Sequence, residues 1–177
     1  MNTKILLTSF TKWLPHQKSN SSDDLLAKLQ KQNCPYNTSL FFLRSLPVDT
    51  QLASQQTIAE INRIQPDVVI CCGMAEKRKK LAIESRAWCN DTYIYTAVDL
   101  QKLHQKLMFT KISDDAGKFV CESLYYQILK YSKSQANRID CIFLHVPKLE
   151  SSNSDLIFKD FLLILSWFKA KTLHEQR

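Results

Sequence analysis

Segments typical of β-strands alternate with segments of helical spacing along this chain, and this order constrains its fold more than any other feature. Strand-like runs of β-branched and aliphatic residues lie at Lys4–Thr8, Leu40–Leu46, Asp67–Cys72 and Asp140–Val146. Such alternation predicts an α/β fold of three layers, with a mostly parallel, twisted sheet and helices on both faces. Functional groups are then expected at the carboxyl ends of strands.

The helical segments have apolar stripes between polar starts and helix-ending residues. The expected helices are the segment with Leu25, Leu26 and Leu29 after Asn20, the segment with Ile58, Ile61 and Ile64 before Pro66, the segment with Leu100, Leu103 and Leu107, and residues 118–132 and 155–174. The sequence contains no internal repeat and no linker-like tract. A chain of 177 residues is therefore expected to form a single domain over residues 1–177.

Composition favours a soluble cytoplasmic protein. Its longest apolar stretch, Phe161–Phe168, is far shorter than the roughly 20 residues that span a bilayer, and Met1–Phe10 is a poor match to a secretory signal. The six cysteines form no Cys-x-x-Cys pair, which indicates free thiols in a reducing compartment and no metal site. We therefore expect neither a membrane nor a metal ion as a partner.

The net charge of +7 raises the question of an anionic partner. Its densest basic run is Lys77-Arg78-Lys79-Lys80. Such runs are usually solvated faces, and no RNA- or DNA-binding motif accompanies this one. Nucleic-acid binding is a minor alternative that is not expected; it would show as affinity that falls steeply with salt.

A cysteine and a histidine carry the chemistry that the sequence suggests. Cys121 follows Asp114-Asp115-Ala116-Gly117 and is expected in the first turn of a helix, where unpaired amides and the helix dipole favour a thiolate. His145 is expected at a strand end, where it can accept the thiol proton. From these two residues alone, a buried cysteine and a structural histidine are the favoured interpretation.

Glu84 lies in the alternating stretch Leu81–Ser85, which follows the basic run. A carboxylate among apolar residues is either on the solvent face of a strand or paired with another group. Composition does not decide between these two alternatives.

Several segments, taken together, add a family resemblance. They are Ile5–Phe10 with Trp13, Leu46–Val48 followed by Ile64–Gly73, Ile83–Glu84 with Ala87, Ala116–Cys121 followed by Tyr125 and Tyr126, and Phe143–Pro147. In this combination and order the chain resembles the pyroglutamyl peptidase I family, the pyrrolidone carboxyl peptidases. These cysteine peptidases remove an amino-terminal pyroglutamate and have a phosphorylase/hydrolase-like α/β fold.

The resemblance implies a role for each matching residue. Cys121 would be the nucleophile, His145 the general base and later acid, and Glu84 the carboxylate that orients the histidine. Arg78 would lie near the oxyanion, with the backbone amide of Cys121 as a second donor. The resemblance assigns substrate binding to Phe10, Trp13, Gly73, Phe119 and Val120. It also implies that the substrates are peptides with an amino-terminal pyroglutamate and that no cofactor is needed.

This sequence departs from the family at several positions, which identifies it as a divergent member. Residues Ser9–Pro15 lack the family's glycines and Lys77 replaces a glycine. Asp114 and Asp115 add negative charge that is expected to raise the pKa of Cys121 and so to oppose the helix dipole. The segment Asn90–Val98 is shorter than in the family, so any homo-oligomer is expected to be weakened. Two hypotheses follow: an active omega peptidase, or a catalytically degenerate member that serves as a peptide-binding or interaction domain.

Overall fold

The computed structural model of the chain describes residues 3–32, 39–117, 119–136 and 138–175. Cys34 and Lys118, which belong to the cysteine set and to the predicted nucleophile segment, lie outside these residues. The described strands are β1 Lys4–Phe10, β2 Ser39–Leu46, β3 Val68–Met74, β4 Leu81–Glu84, β5 Arg86–Cys89, β6 Thr92–Tyr95, β7 Thr110–Ser113 and β8 Asp140–Val146. The described helices are α1 Ser21–Lys31, α2 Thr50–Ile64, α3 Leu100–His104, α4 Val120–Ser134 and α5 Ser154–Glu175.

Six of these strands form one sheet in the order β2-β1-β3-β8-β4-β7. Every neighbouring pair is parallel except β4 and β8, which are antiparallel. Helices α1, α3 and α5 pack on one face of the sheet, and α2 and α4 pack on the other. The prediction of a three-layer, mostly parallel α/β fold is therefore confirmed. None of the described helices is long and apolar enough to cross a membrane.

Local sequence explains where most helices begin and end. Helix α1 begins after Asn20, whose side chain accepts the backbone N–H of Ser22 at 3.0 Å. Helix α2 ends at Ile64, because Gln65 has a left-handed backbone (φ 52°) and Pro66 follows. Helix α3 is shorter than its apolar stripe suggested: Leu107 is buried but lies beyond the last helical residue, in a turn closed by its N–H to the carbonyl of His104 at 2.9 Å.

Strands β5 and β6 form a hairpin that the sequence analysis did not identify. Asn90 and Asp91 connect them with φ angles of 45° and 59°, as in the two-residue type I′ turn that favours such residues. Ala87 and Ile94 lie opposite each other on the inner side of the hairpin and pack in the same core as α4. The segment after β4 is thus an ordered wall beside α4.

Strand alternation turns a set of chemically important residues toward the α4 side of the sheet. Gly73 at the end of β3 pairs in register with His145 at the end of β8. Across the antiparallel pair, Glu84 is opposite Phe143, two residues before His145. Because strand residues two apart share a face, Glu84 and His145 are diagonal neighbours that long side chains can bridge.

Candidate active site

Glu84 and His145 form a buried pair. Nδ1 of His145 lies 2.7 Å from Oε1 of Glu84. The glutamate is 0% exposed and the histidine 4% exposed. Of the two alternatives that the sequence left open for Glu84, the structure therefore has the paired one, in which the carboxylate fixes the orientation of the imidazole.

Cys121 is the second residue of α4, at the end of the helix that faces the sheet edge. No side chain caps the helix start at Phe119 in the described residues, so the first backbone N–H groups are available to a ligand. A Cβ added to Gly73 would lie 2.7 Å from the Cys121 sulfur. The sulfur thus lies directly over the end of β3, beside the strand that carries His145.

Burial disfavours ionisation of the Cys121 thiol. Burial raises its pKa to about 12, and neighbouring Cys71 and the charge of Glu84 act in the same direction. Its own backbone N–H acts in the opposite direction but does not outweigh burial. Burial therefore opposes the thiolate that the helix start was expected to favour. His145, whose imidazole can accept a proton, lines the same cavity as Cys121.

Arg78 lies against the glutamate of this pair. Its Nη1 is 2.8 Å from Oε1 of Glu84, and its Nη2 donates to the backbone carbonyl of Asp115 at 2.6 Å. The guanidinium therefore contacts the buried carboxylate and the loop that leads to α4. Its role at the oxyanion, implied by the family resemblance, stays a prediction.

A cavity of about 270 Å³ opens beside Cys121 and His145. The four predicted apolar residues Phe10, Trp13, Phe119 and Val120 all line it, together with Asn20, Val48, Met74 and Ala116. Gly73 is not among the lining residues, and the space around it is taken by the cysteine sulfur and the ring of Phe143. The predicted binding residues are thus brought together, except for Gly73, whose missing side chain leaves room for the Cys121 sulfur.

The outer wall of this cavity consists of two aromatic rings in contact. The ring centroids of Trp13 and Phe119 are 4.8 Å apart, and the two residues are 49% and 55% exposed. Asn20 supports the loop that carries Trp13, since its Nδ2 donates to the carbonyl of Thr11 at 3.0 Å. Sequence reasoning noted Asn20 only as a helix start, and its second role had no local signal.

A second cavity of about 300 Å³ adjoins the first and shares Val48, Phe119 and Val120 with it. Glu122 lies in its wall and accepts the backbone N–H of Trp88. Burial raises the pKa of Glu122, and the charge of Glu84 adds to the effect. Within the described ranges, no cluster of three or more histidine, cysteine or carboxylate residues is placed to hold a metal ion.

A cysteine at a helix start, over a strand end and beside a buried histidine–carboxylate pair, is the arrangement of a thiol hydrolase. The family model described as pyroglutamyl peptidase matches residues 93–159, a segment that contains Cys121 and His145. A pyrrolidone-carboxylate peptidase of Oceanobacillus iheyensis is 25% identical over 169 residues, covering 81% of this chain and 83% of that protein. The chain is therefore a divergent relative of the pyroglutamyl peptidases, and these matches support a hydrolase.

Solved structures share the fold over nearly the whole chain. The pyrrolidone carboxyl peptidase from Thermococcus litoralis superimposes with a TM-score of 0.82 at 18% identity, covering 99% of this chain and 96% of that chain. The pyroglutamyl peptidase I from Bacillus amyloliquefaciens has a TM-score of 0.79 at 20% identity, with 93% of each chain covered. At these identities the likeness shows a common fold.

Proposed function

We propose that this protein is a cysteine omega peptidase that hydrolyses the amide bond after an amino-terminal pyroglutamate. The nucleophile is Cys121, the general base is His145, and Glu84 orients the base. The observation that carries the proposal is the buried pair of His145 and Glu84 beside the cavity that also contains Cys121. The names of the relatives support pyroglutamyl peptides as the substrate class.

The raised pKa of Cys121 explains why the base is needed. Nδ1–H of His145 donates to Glu84, which leaves Nε2 to accept the proton of the Cys121 thiol. The sulfur then attacks the scissile carbonyl, and the C–N bond breaks as His145 returns its proton to the leaving amine. Water, deprotonated by His145, attacks the resulting thioester and releases pyroglutamate, which restores the thiol.

The tetrahedral intermediate carries a negative oxygen that needs a donor. The backbone N–H of Cys121 lies at the start of α4, where the Phe119 side chain forms no capping hydrogen bond. A helix start combines free N–H groups with a positive dipole end. The Cys121 amide is therefore the oxyanion donor of this proposal.

A lactam ring is small, uncharged and partly apolar, so it requires an apolar slot with few polar contacts. The cavity beside Cys121 fits this description, because Phe10 and Val120 are buried in its wall and the rings of Trp13 and Phe119 close its outer side. The reaction needs no metal or organic cofactor. Cytoplasmic location belongs to the same proposal, and the free thiols among the described cysteines support it.

The test is release of a fluorescent amine from a pyroglutamyl-coumarin amide by the purified, reduced protein. We expect the Cys121→Ala variant to lose turnover and to keep its fold. Cys89→Ala is the matched control, since Cys89 is also a free cysteine and does not line the cavity of Cys121 and His145. Full activity of Cys121→Ala would disprove the assigned nucleophile. A folded, reduced wild-type protein without activity would favour the degenerate, peptide-binding alternative.

A further inference from the structure

Arg78 differs from the other members of its basic run. Lys77, Lys79 and Lys80 are exposed, whereas the side chain of Arg78 is 20% exposed and is turned inward. A turn sets this direction, because the N–H of Arg78 donates to the carbonyl of Ala75 at 2.9 Å. A single cation from a solvated loop thus enters the interior of the site.

The carboxylate that this cation reaches is fully buried. Oε1 of Glu84 contacts both His145 Nδ1 and Arg78 Nη1, at 2.7 and 2.8 Å. Among the residues that the structure describes, Oε2 has no hydrogen-bond partner, and Arg78 Nη1 approaches without the alignment of a hydrogen bond. The link is therefore one of charge. A fully buried, ionised carboxylate requires such a compensating charge, since the other partner is an imidazole that must stay available as a base.

The same guanidinium also contacts the segment that leads to the nucleophile. Arg78 Nη2 donates to the carbonyl of Asp115 at 2.6 Å. The side chain of Asp115 in turn accepts the N–H of Gly117 at 2.9 Å, and α4 with Cys121 begins three residues later. Arg78 therefore connects the group that orients the base with the loop that places the thiol.

We propose that Arg78 is a positioning residue that acts through Glu84, holding the carboxylate against His145 and the loop of residues 114–117 beside it, rather than a direct donor to the oxyanion. This inference rests on the proposed function for its hydrolytic consequences. The two roles for Arg78 differ in what they require of Glu84. A positioning residue loses its effect when the carboxylate is removed, and an oxyanion donor does not.

A double-mutant cycle on amide hydrolysis separates the two roles. We expect Arg78→Met and Glu84→Gln each to lower kcat about 100-fold with little change in KM, since both disturb the base and neither lines the substrate cavity. The kcat of the double variant should lie within about threefold of the kcat of the less active single variant. Multiplication of the two effects, to about 10⁴-fold, would overturn the proposal.

Alkylation of Cys121 by iodoacetamide gives a second readout that needs no pyroglutamyl substrate. In this reaction the sulfur displaces iodide and no tetrahedral oxyanion forms. We expect Arg78→Met and Glu84→Gln to slow alkylation near neutral pH by similar factors. Normal alkylation together with impaired hydrolysis would assign Arg78 to the oxyanion and refute the positioning role. If the wild type hydrolyses no pyroglutamyl amide, the proposed function fails, and alkylation still tests Arg78.

Lys79→Met is the matched control, because it removes an equal charge from the exposed neighbouring position; we expect wild-type hydrolysis and alkylation. Arg78→Lys keeps the positive charge, but the compact ammonium group of lysine does not contact Glu84 and Asp115 together. The kcat of this variant should therefore lie between those of the wild type and Arg78→Met. Thermal unfolding of each variant verifies its fold. If Arg78→Met unfolds at the assay temperature, the cycle is run with Arg78→Lys and the same criterion.

Discussion

The catalytic half and the ring-binding half of the candidate site differ in how firmly the fold holds them. In the catalytic half, Glu84 and His145 are almost completely buried and directly bonded. In the ring-binding half, the wall of Trp13 and Phe119 is about half exposed and rests on the contact between two rings. The altered segment Ser9–Pro15, which contains Phe10 and Trp13, belongs to the ring-binding half, whereas the altered residues Lys77, Asp114 and Asp115 adjoin Arg78 and the loop before Cys121.

The difference has a physical cause. A buried carboxylate, an imidazole and a nucleophile tolerate few substitutions, because each replacement leaves a polar group unpaired or a reacting atom misplaced. Exposed rings on a loop are replaced at lower cost in stability. The comparison therefore predicts that substitutions in the catalytic half mainly lower kcat, and that those in the ring-binding half mainly change KM.

The largest expected effect comes from the space beside the nucleophile. In Gly73→Ala the new Cβ would lie 2.7 Å from the Cys121 sulfur and 2.9 Å from the ring of Phe143, so the sulfur must move. We expect kcat to fall about 100-fold or more, with destabilisation of about 1–3 kcal/mol from overpacking. Steady-state kinetics and thermal unfolding measure the two effects.

Gly117→Ala provides the contrast for Gly73→Ala. A Cβ at Gly117 meets no atom within 4 Å, but the backbone there has φ +89°, which L-residues rarely adopt. The expected result is a loss of about 1 kcal/mol in stability and less than about a tenfold loss in kcat. Equal losses of kcat in both glycine variants would contradict the claim that crowding at the sulfur lowers kcat more than backbone strain in the loop does.

The second prediction concerns the thiol itself. In His145→Ala the base is absent, so alkylation of Cys121 by iodoacetamide follows the thiolate fraction alone. Burial disfavours the anion and raises the pKa of Cys121 to about 12. The rate should therefore rise about tenfold per pH unit and continue to rise above about pH 9, where a small-molecule thiol has levelled off. Site-resolved mass spectrometry follows Cys121, and a plateau below about pH 9 would contradict the buried thiol.

The third prediction sharpens the ring-binding half. Trp13→Ala removes one of the two rings that close the slot, and we expect KM to rise about tenfold with kcat within about threefold of wild type. Trp13→Phe retains a ring against Phe119, so its KM should stay within about threefold. Tyr93→Ala is the control, since Tyr93 is also 49% exposed but lies on the β5–β6 hairpin. A large fall in kcat for Trp13→Ala would place Trp13 in the catalytic half.

Sequence predicted the parts of the fold that follow local rules. Strand β8 and its terminal His145, the start of α1 at Asn20, and the helix of Cys121 all follow from apolar periodicity and capping. The β5–β6 hairpin was missed because its signal is the Asn90-Asp91 turn, where both residues require positive φ, and no glycine marks it.

Contacts between segments distant in sequence were harder to predict. The family resemblance named Glu84, His145 and Arg78, but periodicity alone left Glu84 either exposed or paired. The contact of Arg78 with Glu84 depends on the antiparallel placement of β4 beside β8, which alternation of strands and helices does not specify. The raised pKa of Cys121 likewise depends on burial, which a helix-start argument omits.

The smallest expected effect lies at the border of the two halves, where Glu122 follows Cys121. Burial raises the pKa of Glu122 above its ordinary 4.5. Its neutral form is thus favoured by folding, so this stabilisation is complete below about pH 4 and is lost as pH rises through the raised pKa. Glutamine does not ionise, so Glu122→Gln removes the loss of stability at higher pH, and it retains a carbonyl acceptor for the N–H of Trp88. The melting temperature of the variant, relative to wild type, should therefore be higher at pH 7 than at pH 4.

Glu76→Gln is the control of opposite sign for Glu122→Gln. The hydrogen bond from His16 holds the pKa of Glu76 below its ordinary value, so its contribution is present above that value and is lost as pH falls. Its variant should be slightly less stable than wild type at pH 7. We expect kcat of Glu122→Gln within about threefold of wild type, because Glu122 lines the second cavity and not the one shared by Cys121 and His145. A fall in kcat comparable to that of Gly73→Ala would instead show that Glu122 and the second cavity belong to the catalytic half.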